Sequence, residues 1–353
     1  MLSYFSERKQ RISRYLREVF ERKQSGFGRI NRWGPDLLTR LERFSLDGKM
    51  IRGGLVSLSW SLWNDEETTA AVQAGAALEL IQSALLIHDD IMDRDETRRG
   101  GRSIFSQYAE VARKAGIDSA EHAGESMGIC AGDVAFFVAF ELLAEMDIEP
   151  RLARMILKAC AQEIAYVGVA QMQDVFFGSQ SGAVGESEIL NLYLYKTGRY
   201  TFSLPLVVGG LLADRPVDAV RRLEKLGERL GVIFQIKDDE LGLFGDQNEL
   251  GKPVGSDVKE GKKTLFYGYL IQRASETQRE RLSGIYGNKA LGSADLDFVR
   301  DLTCRLGIRA QVNEVVDGLA ARARELLAEL EETRSDAGRM LGELLEYSLA
   351  RTR

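Results

Sequence analysis

The alternation of apolar and polar positions along the chain predicts helix almost throughout. Residues 2–23 interleave charge with Phe5, Ile12, Leu16, Val19 and Phe20, a spacing that predicts an amphipathic helix packed on its own domain. Leu78 to Ile87 and Met127 to Leu143 are apolar helical runs, the second with Gly132 and Asp133 near its start. Leu152 to Met172 reads as another helix. Residues 110–125, which are polar, and 176–186, rich in Gly and Ser, read as loop-bearing. Helical periodicity resumes from Ile189 to Leu212, where Pro205 is expected to introduce a kink. Val220 to Leu243 carries an apolar stripe of Leu223, Leu226, Leu230, Ile233 and Phe234; Gly227 and Gly231, one turn apart, would let a neighbouring helix come close. Residues 244–263 read as a Gly-rich, lysine-bearing loop, and 264–353 as amphipathic helices, including Val312 to Leu330. No strand pattern or sustained heptad is visible. The expectation is an all-α chain forming one domain, 1–353, without a linker.

Two of these helices end in carboxylates. Leu78 to Ile87 leads into Asp89, Asp90 and Asp93, followed at once by Arg98, Arg99, Gly100 and Gly101. Asp89 and Asp93, at i and i+4, share a helix face, where like charges repel unless a cation sits between them. Carboxylates without nearby His or Cys suit a hard ion, Mg²⁺ above all, which completes its shell with water and phosphate oxygens. The arginines add forked donors for phosphate. An isolated acidic run followed by a basic one is more often a solvated turn, but Asp238, Asp239 and Glu240 repeat the arrangement after Phe234-Gln235-Ile236-Lys237. Further cations stand at Lys49 and Arg52, three apart between glycines, and at Lys196, Lys237, Lys252 and Lys262. Gln171 and Asp174 form another pair three apart.

Composition narrows the classes. Apolar residues at 44% can fill a substantial core, and five prolines in 353 residues permit long helices. A net charge of −6, with no basic stripe interleaved with aromatics, argues against nucleic acid. Cys130, Cys160 and Cys304 lie far apart and read as reduced core residues of a cytoplasmic protein. Charges interrupt every apolar run before about 18 residues, so no membrane span is expected. Two histidines cannot build a histidine-rich zinc site, and no Ser-His-Asp or Cys-His set is evident. A diphosphate clamp beside apolar helices implies a substrate with a diphosphate head and a hydrocarbon tail.

On these motifs the sequence resembles the trans-isoprenyl diphosphate synthases (polyprenyl synthetases), closest to geranylgeranyl diphosphate synthases. LIHDDIMDRDETRRG matches the first aspartate-rich motif of that family and FQIKDDELGLFGD the second. The resemblance runs from Gly48-Lys49-Met50-Ile51-Arg52 to Lys262-Lys263-Thr264. It implies antiparallel helices around a deep central cavity, a homodimer, and condensation of an allylic diphosphate with isopentenyl diphosphate. By the same resemblance Asp89, Asp93 and Asp238 would ligate three Mg²⁺ ions, with Asp90 and Asp239 in support. Arg98, Lys196, Lys237, Lys252 and Lys262 would surround the allylic diphosphate. Lys49, Arg52, Arg99 and Gln82, the last in place of a common histidine, would bind that of isopentenyl diphosphate. Thr197 and Gln235 would present oxygen dipoles to the allylic cation, and Gln171 and Asp174 would support the site. Gly242 stands where many members carry a final aspartate.

Chain length is expected to depend on the helix before the first motif. At about 1.5 Å per residue, Ala84 lies about 7.5 Å behind Asp89, Ile81 about 12 Å and Ala77 about 18 Å, all on one face. In the family a bulky residue five before the motif stops the tail early. Ala84 leaves that depth open, and Ile81 is the next bulky side chain, which points to geranylgeranyl diphosphate. The rivals are a longer-chain or farnesyl diphosphate synthase, a terpene cyclase, and a non-catalytic subunit of a heteromeric synthase.

Overall fold

The computed structural model describes residues 1–66, 68–179, 182–245, 254–330 and 335–351. Among these residues it is all-α but for one small hairpin, as the periodicity predicts. The chain forms two compact units: residues 1–158 with 205–215, and residues 159–204 with 216–353.

The first unit contains α1 (Leu2–Gly28), α2 (Trp33–Leu46), α3 (Ile51–Trp60), α4 (Thr69–Asp93), a hairpin of β1 (Thr97–Arg98) and β2 (Gly101–Arg102), α5 (Ile104–Lys114) and α6 (Ala120–Ala144). Helix α4 is its core: residues 70–71, 73–84, 87 and 90 are buried, because this stretch is apolar around most of its circumference. Thr68 opens α4 by accepting a hydrogen bond from the Ala70 amide. Arg94, left-handed at φ 59°, closes it. The amide of Asp95 then bonds back to the Asp90 carbonyl at 2.8 Å, the geometry in which glycine is the usual closing residue. Asp93 is therefore the last helical residue. Gln73 ties α4 to α6 through the Leu142 carbonyl, 2.9 Å away.

Helix α7 (Pro150–Ser179) enters the first unit with its residues up to Lys158, and the remainder lies in the second. The second unit continues with α8 (Glu186–Tyr193), a π-helical stretch Leu194–Ser203 that leads into α9 (Leu204–Leu212), α10 (Val217–Phe244), α11 (Ser256–Glu260), α12 (Leu265–Arg273), α13 (Glu276–Ile285), α14 (Ser293–Arg305), α15 (Ile308–Ala328) and α16 (Ser335–Leu349). Of α9, residues 205–212 belong to the first unit, where the Leu206 carbonyl accepts from Ser59 of α3 at 2.6 Å. Helix α10 packs most of the stripe read from the sequence: Leu223, Leu226, Leu230 and Ile233 are fully buried, while Phe234 is half-buried. Its Gly227 and Gly231 permit the close approach their spacing predicts. A Cβ on Gly231 would stand 2.3 Å from Gly198 Cα, and one on Gly227 2.3 Å from Ser203 Cα.

The structure differs from the sequence reading at several places. The hairpin replaces an expected absence of strands, because Arg99 and Gly100 both take positive φ (54° and 77°) and turn the chain back in two residues. The polar segment 110–125 does hold its expected loop, at residues 115–119, whereas α7 runs to Ser179 rather than Met172, so that 176–179 are helical and not loop. Pro205 does not interrupt its helix. It lacks an N–H, and the wider π-helical turns just before it absorb the irregularity, with the Leu204 amide reaching back to the Arg199 carbonyl. By length and composition alone, α4 and α6 each hold a stretch long and apolar enough to cross a membrane. In α4 83% of that stretch is buried inside the unit, as in a core helix. In α6 44% is buried, and Ile129 and Phe137 are exposed.

Candidate active site

In the first unit, Asp89 and Asp93 lie on the final turn of α4, each partly exposed. Asp90 between them is fully buried, and Arg98 of the hairpin braces it, with Nε 2.6 Å from its Oδ1. The same guanidinium reaches Asp95 at 3.0 Å. Burial pushes the Asp90 carboxyl up to about 7, against the pull of Arg98 and with Asp89 adding to the rise. Its Oδ2 is buried without a hydrogen-bond partner. This turn thus concentrates negative charge that a single guanidinium does not satisfy. Among the described residues no three His, Cys, Asp or Glu side chains close a cage around an ion. An all-carboxylate pair with an open side is what Mg²⁺ uses when phosphate and water complete its shell, so the residues fit that ion.

A second group lies one to three turns back along α4. Glu79, 4% exposed, accepts the Gly53 amide of α3 at 2.9 Å and also bonds the Arg52 amide. Helix α3 needs this help. Its leading residue Met50 is left-handed (φ 53°, ψ 43°), and no side chain of its own caps the helix. Glu79 is thus the cap, supplied by a neighbouring helix. Its carboxyl is raised by burial and pulled back by Arg52, the two amides and Arg99. Arg99 donates to the Phe44 carbonyl at 2.5 Å and stacks over the Phe44 ring at 5.2 Å. Desolvation lowers its pKa, Glu79 opposes this and Arg52 adds to it. Two of the three cations read as an isopentenyl diphosphate clamp, Arg52 and Arg99, therefore act on one buried carboxylate. Gln82 is buried one turn beyond it, and Lys49 is exposed beside the start of α3. Ala77, Ile81 and Ala84 are each at most 1% exposed on the same helix.

In the second unit, Asp238 is exposed and its Oδ1 lies 2.9 Å from Arg351, whose guanidinium sits 4.2 Å over the Phe234 ring. Asp239 is buried. Tyr193 donates its hydroxyl to one oxygen, Gln235 donates its amide to the other at 2.8 Å, and the Leu265 amide in turn donates to Tyr193. Burial, then Asp257, raise the Asp239 carboxyl, while the bonds from Tyr193 and Gln235 oppose the rise. Asp239 is therefore a support for the end of α10 rather than an open ligand. Lys196 of the π-helical stretch is paired with Asp174 of α7, with Gln171 one turn before. Thr197 is half-buried beside it. Arg199 forks onto Glu163 (2.6 and 2.8 Å), Glu224 (2.7 Å) and Glu228, which fixes the stretch that carries Lys196. Lys237 is paired with Glu240, which Arg309 also holds at 2.8 Å; burial works to raise the Glu240 carboxyl, and the two cations together keep it lowered. Lys262 lies 2.7 Å from Glu260 and 3.7 Å from Asp257. Lys252 lies outside the described residues.

At Gly242 the space a side chain would fill is taken. A Cβ there would stand 2.7 Å from Oδ2 of Asp257, which α11 delivers to this point. Sequence reasoning missed Glu79, Tyr193, Asp257 and Arg351, although a lone Glu inside an apolar run was a visible signal for Glu79.

Comparison with known proteins gives the family. Residues 37–302 match the family model described as polyprenyl synthetase. The short chain isoprenyl diphosphate synthase of Methanothermobacter thermautotrophicus is 33% identical over 90% of this chain and 91% of its own. The geranylgeranyl diphosphate synthase of Saccharolobus solfataricus is 30% identical over 87% of this chain and 88% of its own. Among solved structures, geranylgeranyl pyrophosphate synthase from Corynebacterium glutamicum, crystallised with isoprenyl diphosphate and magnesium, superposes with a TM-score of 0.89. It is 25% identical and covers 99% of this chain and 98% of its own. With both aspartate motifs in place and the family match spanning them, the chain is a prenyltransferase of the polyprenyl synthetase family.

Proposed function

We propose that the chain condenses an allylic diphosphate head-to-tail with isopentenyl diphosphate and that its main product is trans-geranylgeranyl diphosphate. The observation that carries this is the presence in one unit of two separate anion-handling groups: the carboxylate turn Asp89–Asp93, and the cations Arg52 and Arg99 around Glu79. A terpene cyclase, with one diphosphate to hold, has no use for the second group. The C20 product is supported by the small side chains at Ala77 and Ala84, with Ile81 as floor, and by the geranylgeranyl diphosphate synthases among the relatives.

Asp89, Asp93 and Asp238 would hold Mg²⁺, three ions per site, and the metal would supply Lewis-acid stabilisation of the departing diphosphate. Arg98, Lys196, Lys237, Lys252 and Lys262 bind the allylic diphosphate and orient its leaving oxygen. Lys49, Arg52, Gln82 and Arg99 hold isopentenyl diphosphate so that its double bond faces the allylic carbon. As the C–O bond breaks, Thr197 and Gln235 offer oxygen dipoles to the cation, and the apolar wall keeps water out. The double bond attacks, and the proton it loses passes to the released diphosphate. We further propose a cytoplasmic homodimer. On α6 Ile129 and Phe137, and on α7 Tyr166, Val169, Met172 and Phe176, form exposed apolar faces that a second copy would cover.

The test is product chromatography with Mg²⁺, isopentenyl diphosphate and allylic primers. The C20 diphosphate should dominate. Asp89→Asn and Asp238→Asn should each lower turnover by about 100-fold or more at unchanged helix content, the order expected when charge stabilisation in the transition state is lost. Ala84→Phe should shorten the product and Ile81→Ala lengthen it. Near-normal turnover in either aspartate variant sinks the metal assignment, and an unchanged product in both others sinks the chain-length reading.

A further inference from the structure

One face of α1 is used by nothing described so far. Ser6, Lys9, Gln10, Ser13, Arg14 and Arg17, recurring every three or four residues, line an open groove of about 590 Å³ that Leu46 closes at the end of α2. The groove carries three cations and no carboxylate, in a chain whose net charge is −6. The acids of α1 point elsewhere; Glu7, for instance, is taken by Arg8 and Arg11 at 3.1 and 2.7 Å. Lys9, Arg14 and Arg17 make no ion pair or hydrogen bond among the described residues, whereas Arg98, Lys196, Lys237 and Lys262 each rest on an acid. Arg14 and Arg17 are exposed and Lys9 is half-buried. The groove is also separate from the proposed isopentenyl diphosphate cations, none of which lines it. Its cations lie before residue 37, where the match to the family model begins.

We propose that this groove is a second anion site that binds a small molecule bearing a di- or triphosphate. Two guanidinium forks and an ammonium in a concavity match several phosphate oxygens at once, where a single carboxylate would engage one fork. Ser6 and Gln10 add neutral donors to its lining. The volume suits a small ligand, and the concave form suits it better than a flat lipid surface. Ser13 connects the groove to the chemistry: its hydroxyl lies 3.5 Å from the sulfur of Met50, between Lys49 and Arg52. The site is distinct from the prenyl-transfer reading and stands or falls without it.

Inorganic tripolyphosphate titrated calorimetrically into the full chain, in Mg²⁺-free buffer, tests the proposal. Arg14→Ala/Arg17→Ala should weaken one binding event at least tenfold, both in the otherwise unchanged chain and in an Arg52→Ala/Arg99→Ala background. Helix content should stay unchanged, and prenyl transfer by the otherwise unchanged chain should stay within twofold. Superimposable isotherms with and without Arg14 and Arg17 overturn the site. A second arm uses phosphatidylglycerol vesicles, where no sedimentation dependent on Arg14 and Arg17 is expected. If those arginines govern vesicle binding and not tripolyphosphate binding, α1 docks on a membrane and the proposal is wrong. Failure of the prenyl-transfer reading would appear in product chromatography and leave this titration as it is.

Discussion

Gly231→Ala is the most informative single change, because the methyl group it adds has nowhere to go. The new Cβ would stand 2.3 Å from Gly198 Cα, 2.7 Å from the Gly198 oxygen and 2.9 Å from its carbonyl carbon, all backbone. Carbon atoms pack at about 3.5–4.0 Å, so α10 and the π-helical stretch must separate by more than about 1 Å. No side chain can rotate away, which puts the cost near the upper end of the usual overpacking range, about 3 kcal/mol. At roughly 2–4 °C per kcal/mol, thermal melting should fall by about 6–12 °C. The moving segment carries Lys196 and Thr197. A displacement of about 1 Å at groups that position substrate, the role proposed for these two, can cost around 100-fold, so kcat/KM should fall by about that factor even well below the melting temperature. Gly168→Ala is the control. It lies exposed in α7, with nothing within 4 Å of its would-be Cβ, and should stabilise by up to about 1 kcal/mol through helix propensity. Circular-dichroism melts and steady-state kinetics on both variants decide the matter. If Gly231→Ala melts within about 2 °C of the parent and keeps kcat/KM within about twofold, the close approach does not hold the π-helical stretch in place.

Other changes probe the remaining contacts. Glu79→Ala removes the cap of α3 and the shared counter-charge of Arg52 and Arg99, bonds of about 1.5–3 kcal/mol each; KM for isopentenyl diphosphate should rise at least about tenfold with that of the primer unchanged, and equal shifts in both would refute the role. Gly242→Asp, which restores the motif many relatives carry, should lower turnover, since its Cβ would meet Asp257 Oδ2 at 2.7 Å and add a like charge; a gain in activity would mean Asp257 does not occupy that place. Burial, with Glu163 adding, pushes the Cys160 thiol up to about 12, so at pH 8 a thiol reagent should count Cys130 and Cys304 quickly and Cys160 only after unfolding; three fast thiols would contradict its burial.

What the sequence disclosed was whatever depends on local spacing. The apolar runs, the aspartates at the ends of α4 and α10, and the Gly227–Gly231 notch all follow from periods of three to four residues, and each lies where periodicity puts it. What it hid depends on partners distant along the chain. Glu79 caps a helix 26 residues earlier, and no local pattern couples a mid-helix carboxylate to a remote amide. The pairing of Asp238 with Arg351 and the filling of Gly242 by Asp257 are likewise tertiary. Asp239 illustrates the intermediate case. Its place in the motif was legible, and Gln235 stands one turn before it on the same helix, but the bond from Tyr193 was not legible, because that depends on how α8 lies against α10.

Met50, Arg94 and Arg99 are left-handed, non-glycine residues at φ 53°, 59° and 54°, beside the start of α3, the end of α4 and in the hairpin turn. Each conformation costs a residue with a side chain about 1–2 kcal/mol. A library of variants screened for heat resistance alone would therefore collect glycine at the exposed Arg94, and would sample it at Arg99, where backbone relief offsets part of the lost bond to the Phe44 carbonyl and the stacking on its ring. At Arg99 any variant that outlasts the parent on heating should catalyse worse, having lost the guanidinium that faces Glu79. Directed evolution of this protein toward robustness has to select on melting and turnover together, or it will erode the site at the positions where the backbone is most ready to relax.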